Sequence, residues 1–452
     1  MFSFKETMIK IFDPAAAQQT LLRRAAPGEE RIPEAVFQGI EKTFGERMTP
    51  QEAVARILHD VKTKGDSALR FWSEKLDGKS PQRFRVSSQE IRAALDSISS
   101  PQRAALELAA VRIETFYKKQ PLTSWITQEM GGLLGQLIRP IERVGLYVPA
   151  GTAALPSSVL MSAIPARVAG VKEIVVAAPP RRGAGEIAPI ILAAAAIAGV
   201  EEVYAMGGAQ AIAALAYGAE SVRPVDKIFG PGNLFVTLAK KQVFGVVGVD
   251  GLAGPTETVI IADEFANPRW VAADLLAQAE HDALASAILL TPSRLLAQAV
   301  QAEVGRQVET LPRAEIAAQA LRERSGIVVV NDLQEAFQLS NSYAPEHLCL
   351  AVKDAWAWSE KVQSAGGVFL GEDSFETLGD YVAGPSHVMP TGGAARFASP
   401  LNVWDFVRVI SLVGLNQPSG RELSKAAAVI ARAEGLEAHA RSADLRSESG
   451  VS

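Results

Sequence analysis

From about residue 131 to residue 370, short apolar runs alternate with stretches of helical period. Glu173-Ile174-Val175-Val176-Ala177-Ala178 reads as a buried strand, stopped by Pro179-Pro180. A helix over 185–198, a strand over 202–205, a helix over 209–217 and a strand over 227–229 are predicted next. The turn Gly230-Pro231-Gly232-Asn233 closes this run. A second run begins near Thr258: a strand over 259–262, a helix from Asn267 to His281, a strand over 287–290, a helix opened by Pro292-Ser293, and strands over 327–330 and 367–370. Strands separated by helices of this length pair in parallel, because a parallel neighbour needs a crossover. The chain is therefore predicted to be α/β, with two doubly wound, Rossmann-like units. A proline ends a strand before a helix in both runs (Pro179 and Pro292), which hints at an internal repeat.

The flanks read differently. Thr49-Pro50-Gln51-Glu52 is a capping box with proline at the first helical position, and Val54, Ile57, Leu58 and Val61 follow at helical spacing. Ser87-Ser88-Gln89-Glu90 opens a second helix, and a third is predicted over 102–118. Residues 1–45 read as an arm with helical character. Residues 396–452 hold too few apolar side chains for a core of their own, so this helical tail is expected to pack on something else.

Bulk properties exclude several classes. A net charge of −5 lacks the basic footprint of a nucleic-acid binder. One cysteine, Cys349, allows neither an internal disulfide nor a thiolate metal cage. The start of the chain has no signal-peptide core, and the apolar run 188–200 is too short to span a bilayer. A cytoplasmic, soluble protein is expected.

Candidate chemistry concentrates between Ser340 and Asp405. Glu346 and His347 are adjacent, so they cannot share a face of one strand. At a strand end both could reach one cleft, and Pro345 fixes the approach. Asp380 and His387 follow in a segment rich in glycine and proline. Gln278 and His281, three residues apart, fall on one face of their predicted helix. With Asp380, His387 and His439 they offer only nitrogen and oxygen donors, a set suited to zinc or manganese. Each histidine could instead be an isolated core or surface residue; His59, the remaining one of five, sits in an ordinary amphipathic helix. No G-x-G-x-x-G occurs. Gly207-Gly208-Ala209-Gln210 and Gly230-Pro231-Gly232-Asn233 could meet a phosphate through backbone amides, or could be tight turns. Cys349, between two leucines, suits a small buried hydrophobe better than a nucleophile.

Together these motifs resemble histidinol dehydrogenases over about residues 50–440. The resemblance is carried by Gly145-Leu146-Tyr147-Val148-Pro149, Gly207-Gly208-Ala209-Gln210-Ala211, Phe229-Gly230-Pro231-Gly232-Asn233, Gln278-Ala279-Glu280-His281, Tyr343-Ala344-Pro345-Glu346-His347, Gly379-Asp380-Tyr381, Thr391-Gly392-Gly393-Ala394-Ala395-Arg396-Phe397, and Ala433-Glu434-Gly435-Leu436 with His439. It implies oxidation of L-histidinol to L-histidine through the aldehyde, with NAD and one zinc per subunit. The zinc ligands would be Gln278, His281, Asp380 and His439. His347 would be the base and Glu346 would activate water. Those four ligands and His347 would also touch substrate, together with Thr256, His387 and Glu434. Tyr147, Gln210 and Asn233 would touch NAD. The implied organisation is an arm (1–45), a zinc and substrate domain (46–146 with 258–395), an inserted NAD domain (147–257) and a dimerisation tail (396–452). A homodimer with shared sites is implied, with neither nucleic acid nor membrane as partner. Ala150, Thr256, Asp282 and Ser386 depart from the usual pattern. A dehydrogenase for another amino alcohol or diol on the same scaffold is the nearest alternative; a metal-dependent hydrolase and a non-catalytic metal-binding scaffold are the others.

Overall fold

Parallel pairing of fully buried strands gives the molecule its frame. The computed structural model describes residues 9–24, 32–149 and 154–448. The chain divides into two units, one from Met1–Lys119 and Glu142–Asp405, the other from Gln120–Ile141 and Phe406–Ser452. The first unit holds two six-stranded sheets. In the first sheet the spatial order is Lys10–Phe12, Gly326–Val329, Ser286–Thr291, Glu257–Ala262, His347–Ala351, Gly367–Leu370, and every pair is parallel. In the second it is Arg85–Val86, Glu202–Ala205, Glu173–Ala178, Arg143–Tyr147, Lys227–Phe229, Gly248–Val249. There only Arg85–Val86 runs antiparallel to its neighbour.

Counted along the chain from their central strands, both sheets have the order 3-2-1-4-5, with one extra strand outside strand 3. This is the doubly wound order, and the repeat hinted at by Pro179 and Pro292 is thus a repeat of topology. The strand Glu257–Ala262 shows why such strands read as continuous apolar runs. Ile260 and Ala262 enter the core on one face and Val259 and Ile261 the core on the other.

The predicted capping boxes form at Thr49 and Ser87, and a further one forms at Ser99; each is worth about 1 kcal/mol. The helix opened by Thr49 runs from Pro50 to Asp77, interrupted at Gly65 by a non-helical φ of 53°. Its buried Val54, Ile57, Leu58, Val61 and Leu69 share a core with Tyr204, Ala209 and Ile212 around the second sheet. That sheet therefore draws on residues from both sides of position 147, the expected start of the inserted segment. The arm is only partly helical. Its Lys10–Phe12 segment adds an edge strand to the first sheet, in register with Gly326–Val328.

The second unit is an antiparallel sheet of Val407–Leu415, Gly132–Pro140 and Trp125–Thr127, with the helices Gln417–Ala433 and Glu437–Glu448. Its buried cluster is Ala428, Ala431 and Ala440, a small core of the kind expected from the composition of the tail. The nine-residue strand Val407–Leu415 was not expected in a helical tail; its edge-to-edge partner lies some 270 residues earlier in sequence, which no local pattern reveals.

Gly230, at φ 109°, packs so closely that a Cβ there would lie 2.1 Å from the Tyr147 carbonyl oxygen. Gly230→Ala is expected to cost about 1–3 kcal/mol and to lower the melting temperature by several degrees. Gly251→Ala, where a Cβ meets nothing within 4 Å, should melt with the native protein. Equal melting of the two variants would contradict this packing argument.

Candidate active site

His347 opens the strand His347–Ala351, paired in register with Thr258. Cys349 and Ala351 enter one core and Leu348 and Leu350 the other, so the strand is locked and its first residue stands at the edge of the core. Burial raises the Cys349 thiol far above its ordinary value, which leaves it an unreactive hydrophobe. The chain reaches this strand from the helix Leu333–Tyr343, which ends in left-handed Ala344 (φ 52°, ψ 68°). Among the described residues Ala344 is the sole non-glycine with positive φ. Pro345 disfavours right-handed helix at the preceding residue, and the left-handed turn costs about 1–2 kcal/mol. The turn brings Glu346 and His347 to the same end of the sheet.

Both side chains are buried and held by the neighbouring strand. Glu346 Oε2 accepts from Thr256 Oγ1 at 2.6 Å and from the Glu257 amide at 3.1 Å. His347 Nδ1 lies 3.2 Å from the Glu257 carbonyl oxygen. A carbonyl only accepts, so this contact places the proton on Nδ1. Nε2 is then the free basic nitrogen; it is buried without a hydrogen-bond partner, 3.9 Å from Asp380 Oδ1. Burial pushes the Glu346 carboxyl up to about 7, against the pull of His347 and the two donors.

A second carboxyl stands beside the pair. Glu376 Oε1 is 3.8 Å from His347 Nδ1, and Oε2 accepts from Thr258 Oγ1. Gln278 is buried beside it. With its amide oxygen toward Thr256 Oγ1 (2.8 Å) and the Glu257 amide (2.7 Å), its nitrogen donates to Glu376 Oε1 at 2.8 Å. Burial, then the charge of Asp380, drive the Glu376 pKa well above the ordinary carboxylate value. Glu376 was missed in the sequence. Its one signal is its place four residues before Asp380 on the helix Glu376–Tyr381, which sets both on one face.

His281 lies just beyond the helix Pro268–Ala279, past its C-cap Glu280, so the helix ends short of the predicted His281. The surrounding protein presses the His281 pKa down and Asp380 opposes this. His387 Nδ1 lies 2.8 Å from the Asp380 carbonyl oxygen and Nε2 3.2 Å from Ser158 Oγ. Ser158 sits on the helix Pro156–Val168 beside the second sheet, so this contact ties the two halves of the first unit together. Glu434 and His439 belong to the second unit, at the C-cap of Gln417–Ala433 and within Glu437–Glu448. Both are exposed. Among the described residues no group of three or more His, Cys, Asp or Glu is arranged to hold a metal; of the four expected ligands, only His281 and Asp380 are residues of those types in the first unit.

The three expected cofactor residues sit at carboxyl ends of the second sheet: Tyr147 ends Arg143–Tyr147, Asn233 follows Lys227–Phe229, between which the strand order reverses, and Gln210 follows Glu202–Ala205. The Tyr147 hydroxyl accepts from the Gly208 amide at 3.2 Å. Gln210 is buried; its Nε2 donates to Asp77 Oδ2 at 3.3 Å, while Oε1 has no partner. Burial lifts Asp77 to about 6; nothing in the sequence marked this residue. Asn233 Oδ1 caps the following helix by accepting from Phe235 and Val236 amides. A Cβ on Gly207 would lie 2.5 Å from the Pro179 side chain, so that turn must be glycine for packing reasons alone. Of the departures from pattern, Thr256 uses its hydroxyl on Glu346, Asp282 Oδ1 accepts from the Leu284 amide at 2.8 Å, and Ser386 Oγ accepts from the Val388 amide at 3.2 Å. Ala150 lies outside the described residues.

Fold and site define an α/β enzyme of two doubly wound sheets, with a buried Glu-His pair at the edge of one and glycine turns at the carboxyl ends of the other. The chain belongs to the histidinol dehydrogenase family, whose model matches residues 42–447. It is 53% identical over 417 residues to histidinol dehydrogenase of Deinococcus radiodurans, covering 92% of this chain and 95% of that one. To that of Thermus thermophilus it is 55% identical over 398 residues, covering 88% and 95%. The crystal structure of histidinol dehydrogenase from Elizabethkingia anophelis is similar with a TM-score of 0.88 at 36% identity, over 97% of this chain and 98% of that one.

Because the folded protein holds Glu346 at about 7, above its unfolded value of 4.5, ionising it costs stability as pH rises between those values. Glu346→Gln should melt higher than the native protein at pH 8, and the gap should close by pH 5. A gap independent of pH would show that this carboxyl is not desolvated.

Proposed function

We propose that this protein oxidises L-histidinol to L-histidine through the aldehyde, the last step of histidine biosynthesis, with NAD as oxidant and zinc in the site. The observation that carries the reading is the Glu346-His347 pair, two adjacent buried groups both hydrogen-bonded to the main chain of Glu257. The overall change removes four electrons from the carbon bearing the hydroxyl and adds one water oxygen, so one step needs a base for an alcohol and the other a base for water.

When bound, NAD would accept two electrons in each step and zinc would hold the amine and imidazole of the substrate. The fit for NAD rests on the 3-2-1-4-5 order, the buried Gln210 Oε1 without a partner at a carboxyl end of the sheet, and the glycine turns. The fit for zinc rests on the chemistry of the donors: the imidazole of His281, the Asp380 carboxylate whose charge acts on it, and the buried amide of Gln278. The fourth donor, His439, would come from a second copy of the chain. His347, with Nδ1 fixed on the Glu257 carbonyl, takes the alcohol proton on Nε2. Glu346, poised near 7, accepts a proton from the water that hydrates the aldehyde; a positioned base of this kind is typically worth about 10²–10⁴-fold. Thr256, His387 and Glu434 would contact substrate, and Tyr147, Gln210 and Asn233 would contact NAD.

A homodimer is part of the same proposal. The second unit has a core of three alanines and exposes Leu133, Val409, Ile410 and Val413 on its sheet, apolar surface that a partner would cover. Among the described residues no helix is long and apolar enough to cross a membrane; we place the enzyme in the cytoplasm, with neither nucleic acid nor membrane as partner.

The test is turnover. L-Histidinol should yield two NADH per molecule, and a chelator should abolish it until zinc is restored. Turnover of another amino alcohol in preference, or product formed without NAD, would reject the reading. His347→Asn should impair both steps and Glu346→Gln chiefly the aldehyde step; equal losses in both half-reactions would remove the division of labour.

Shared sites are tested by complementation. Glu346→Gln and His439→Asn chains, unfolded and refolded together, should recover about a quarter of native sites if pairing is random. No recovery in demonstrated mixed dimers would place His439 in its own chain's site.

A further inference from the structure

Arg24 lies in the 1–45 arm, outside the stretch matched by the family model. Its guanidinium is nevertheless engaged on every nitrogen. Nη1 and Nη2 pair with the Glu257 carboxylate, Nη2 at 2.8 Å from Oε2. Nε and Nη2 donate to the Tyr343 carbonyl at 3.0 and 2.7 Å, and Nη2 approaches the Ala344 carbonyl at 3.4 Å. The guanidinium carbon stands 3.6 Å over the Tyr343 ring, whose hydroxyl is fixed 3.2 Å from Ser286 Oγ. Bidentate pairing and ring stacking both require the planar fork of arginine.

The two backbone segments so clamped are those that build the Glu-His pair. Glu257 touches both members through its main chain, its amide on Glu346 and its carbonyl on His347 Nδ1. Tyr343 and Ala344 form the left-handed turn that delivers Glu346. We infer that Arg24 is a positioning residue for the reaction, which fixes Glu257 and the 343–344 turn so that His347 presents Nε2 as its basic nitrogen. The inference rests on the histidinol reading for its kinetic consequence. Its structural consequence, the tautomer of His347, does not.

Arg24 itself touches none of the expected substrate or cofactor residues and acts on the pair only through Glu257 and the 343–344 turn, so its loss should act on turnover more than on binding. Misplacement of a reacting group by about 1 Å can cost about 10²-fold. In full-length Arg24→Met, kcat with histidinol should fall by about 10–100-fold, with KM within about threefold of native. Arg24→Lys, which keeps the charge but not the fork, should recover only part of the loss. A raised KM at native kcat, or native kinetics in a folded Met variant, would overturn the assignment. Should the Met variant fail to fold, Glu257→Gln breaks the same clamp while keeping the backbone, and it is read in the same way. Turnover by the native protein tests the histidinol reading independently. Nitrogen-15 NMR of labelled histidines, assigned with His347→Asn, decides the inference even without turnover. The native ring should carry its proton on Nδ1 and the Arg24→Met ring should show a mixture; an unchanged tautomer would overturn it.

Discussion

The parallel pairing of Glu257–Ala262 with His347–Ala351 is the interaction on which the site depends. Its register sets Thr258 against His347, so the main chain of Glu257 is left at the strand end to serve both Glu346 and His347. A shift by one residue would turn His347 to the opposite face and replace it with Leu348. The register is held by apolar side chains on both faces, Val259 and Ile261 against Leu348 and Leu350 on one and Ile260 and Ala262 beside Cys349 and Ala351 on the other. The geometry of the candidate site is a by-product of core packing.

Desolvation then sets the chemistry. Glu346, Glu376 and His347 are all buried, and buried polar groups must be hydrogen-bonded or pay heavily. Thr256, Thr258, Gln278 and the backbone of Glu257 supply those bonds. His347 Nε2, the nitrogen that takes the alcohol proton in the proposed reaction, is buried without a hydrogen-bond partner. The same pattern recurs at the other sheet, where buried Gln210 is satisfied on its nitrogen by Asp77 and left open on its oxygen.

The two sheets share one strand order and use it differently. The second sheet places Tyr147, Gly207-Gly208 and Gly230–Asn233 at its carboxyl ends, where doubly wound sheets usually bind nucleotides. The first places Glu346, His347 and Thr256 at its amino ends, against that habit. The reason lies in the connections. Arg24 clamps the Tyr343–Ala344 turn to Glu257, at the end of the sheet where Glu346, His347 and Thr256 gather.

The sequence by itself determined the α/β class, the strands over 173–178, 202–205, 227–229 and 367–370, the helix starts at Thr49 and Ser87, and the buried character of Cys349, because these depend on local periodicity, capping and proline. It also carried the motifs that place the chain in its family. Only the tertiary structure decided that the two runs have the same strand order, that the 50–77 helix packs on the second sheet, that Val407–Leu415 pairs with Gly132–Pro140, and that Glu376, Asp77, Glu257 and Arg24 stand beside the candidate residues. Each of these joins segments far apart in the chain. Arg24 meets Glu257 across 233 residues, and no local pattern records a contact made only when the core closes.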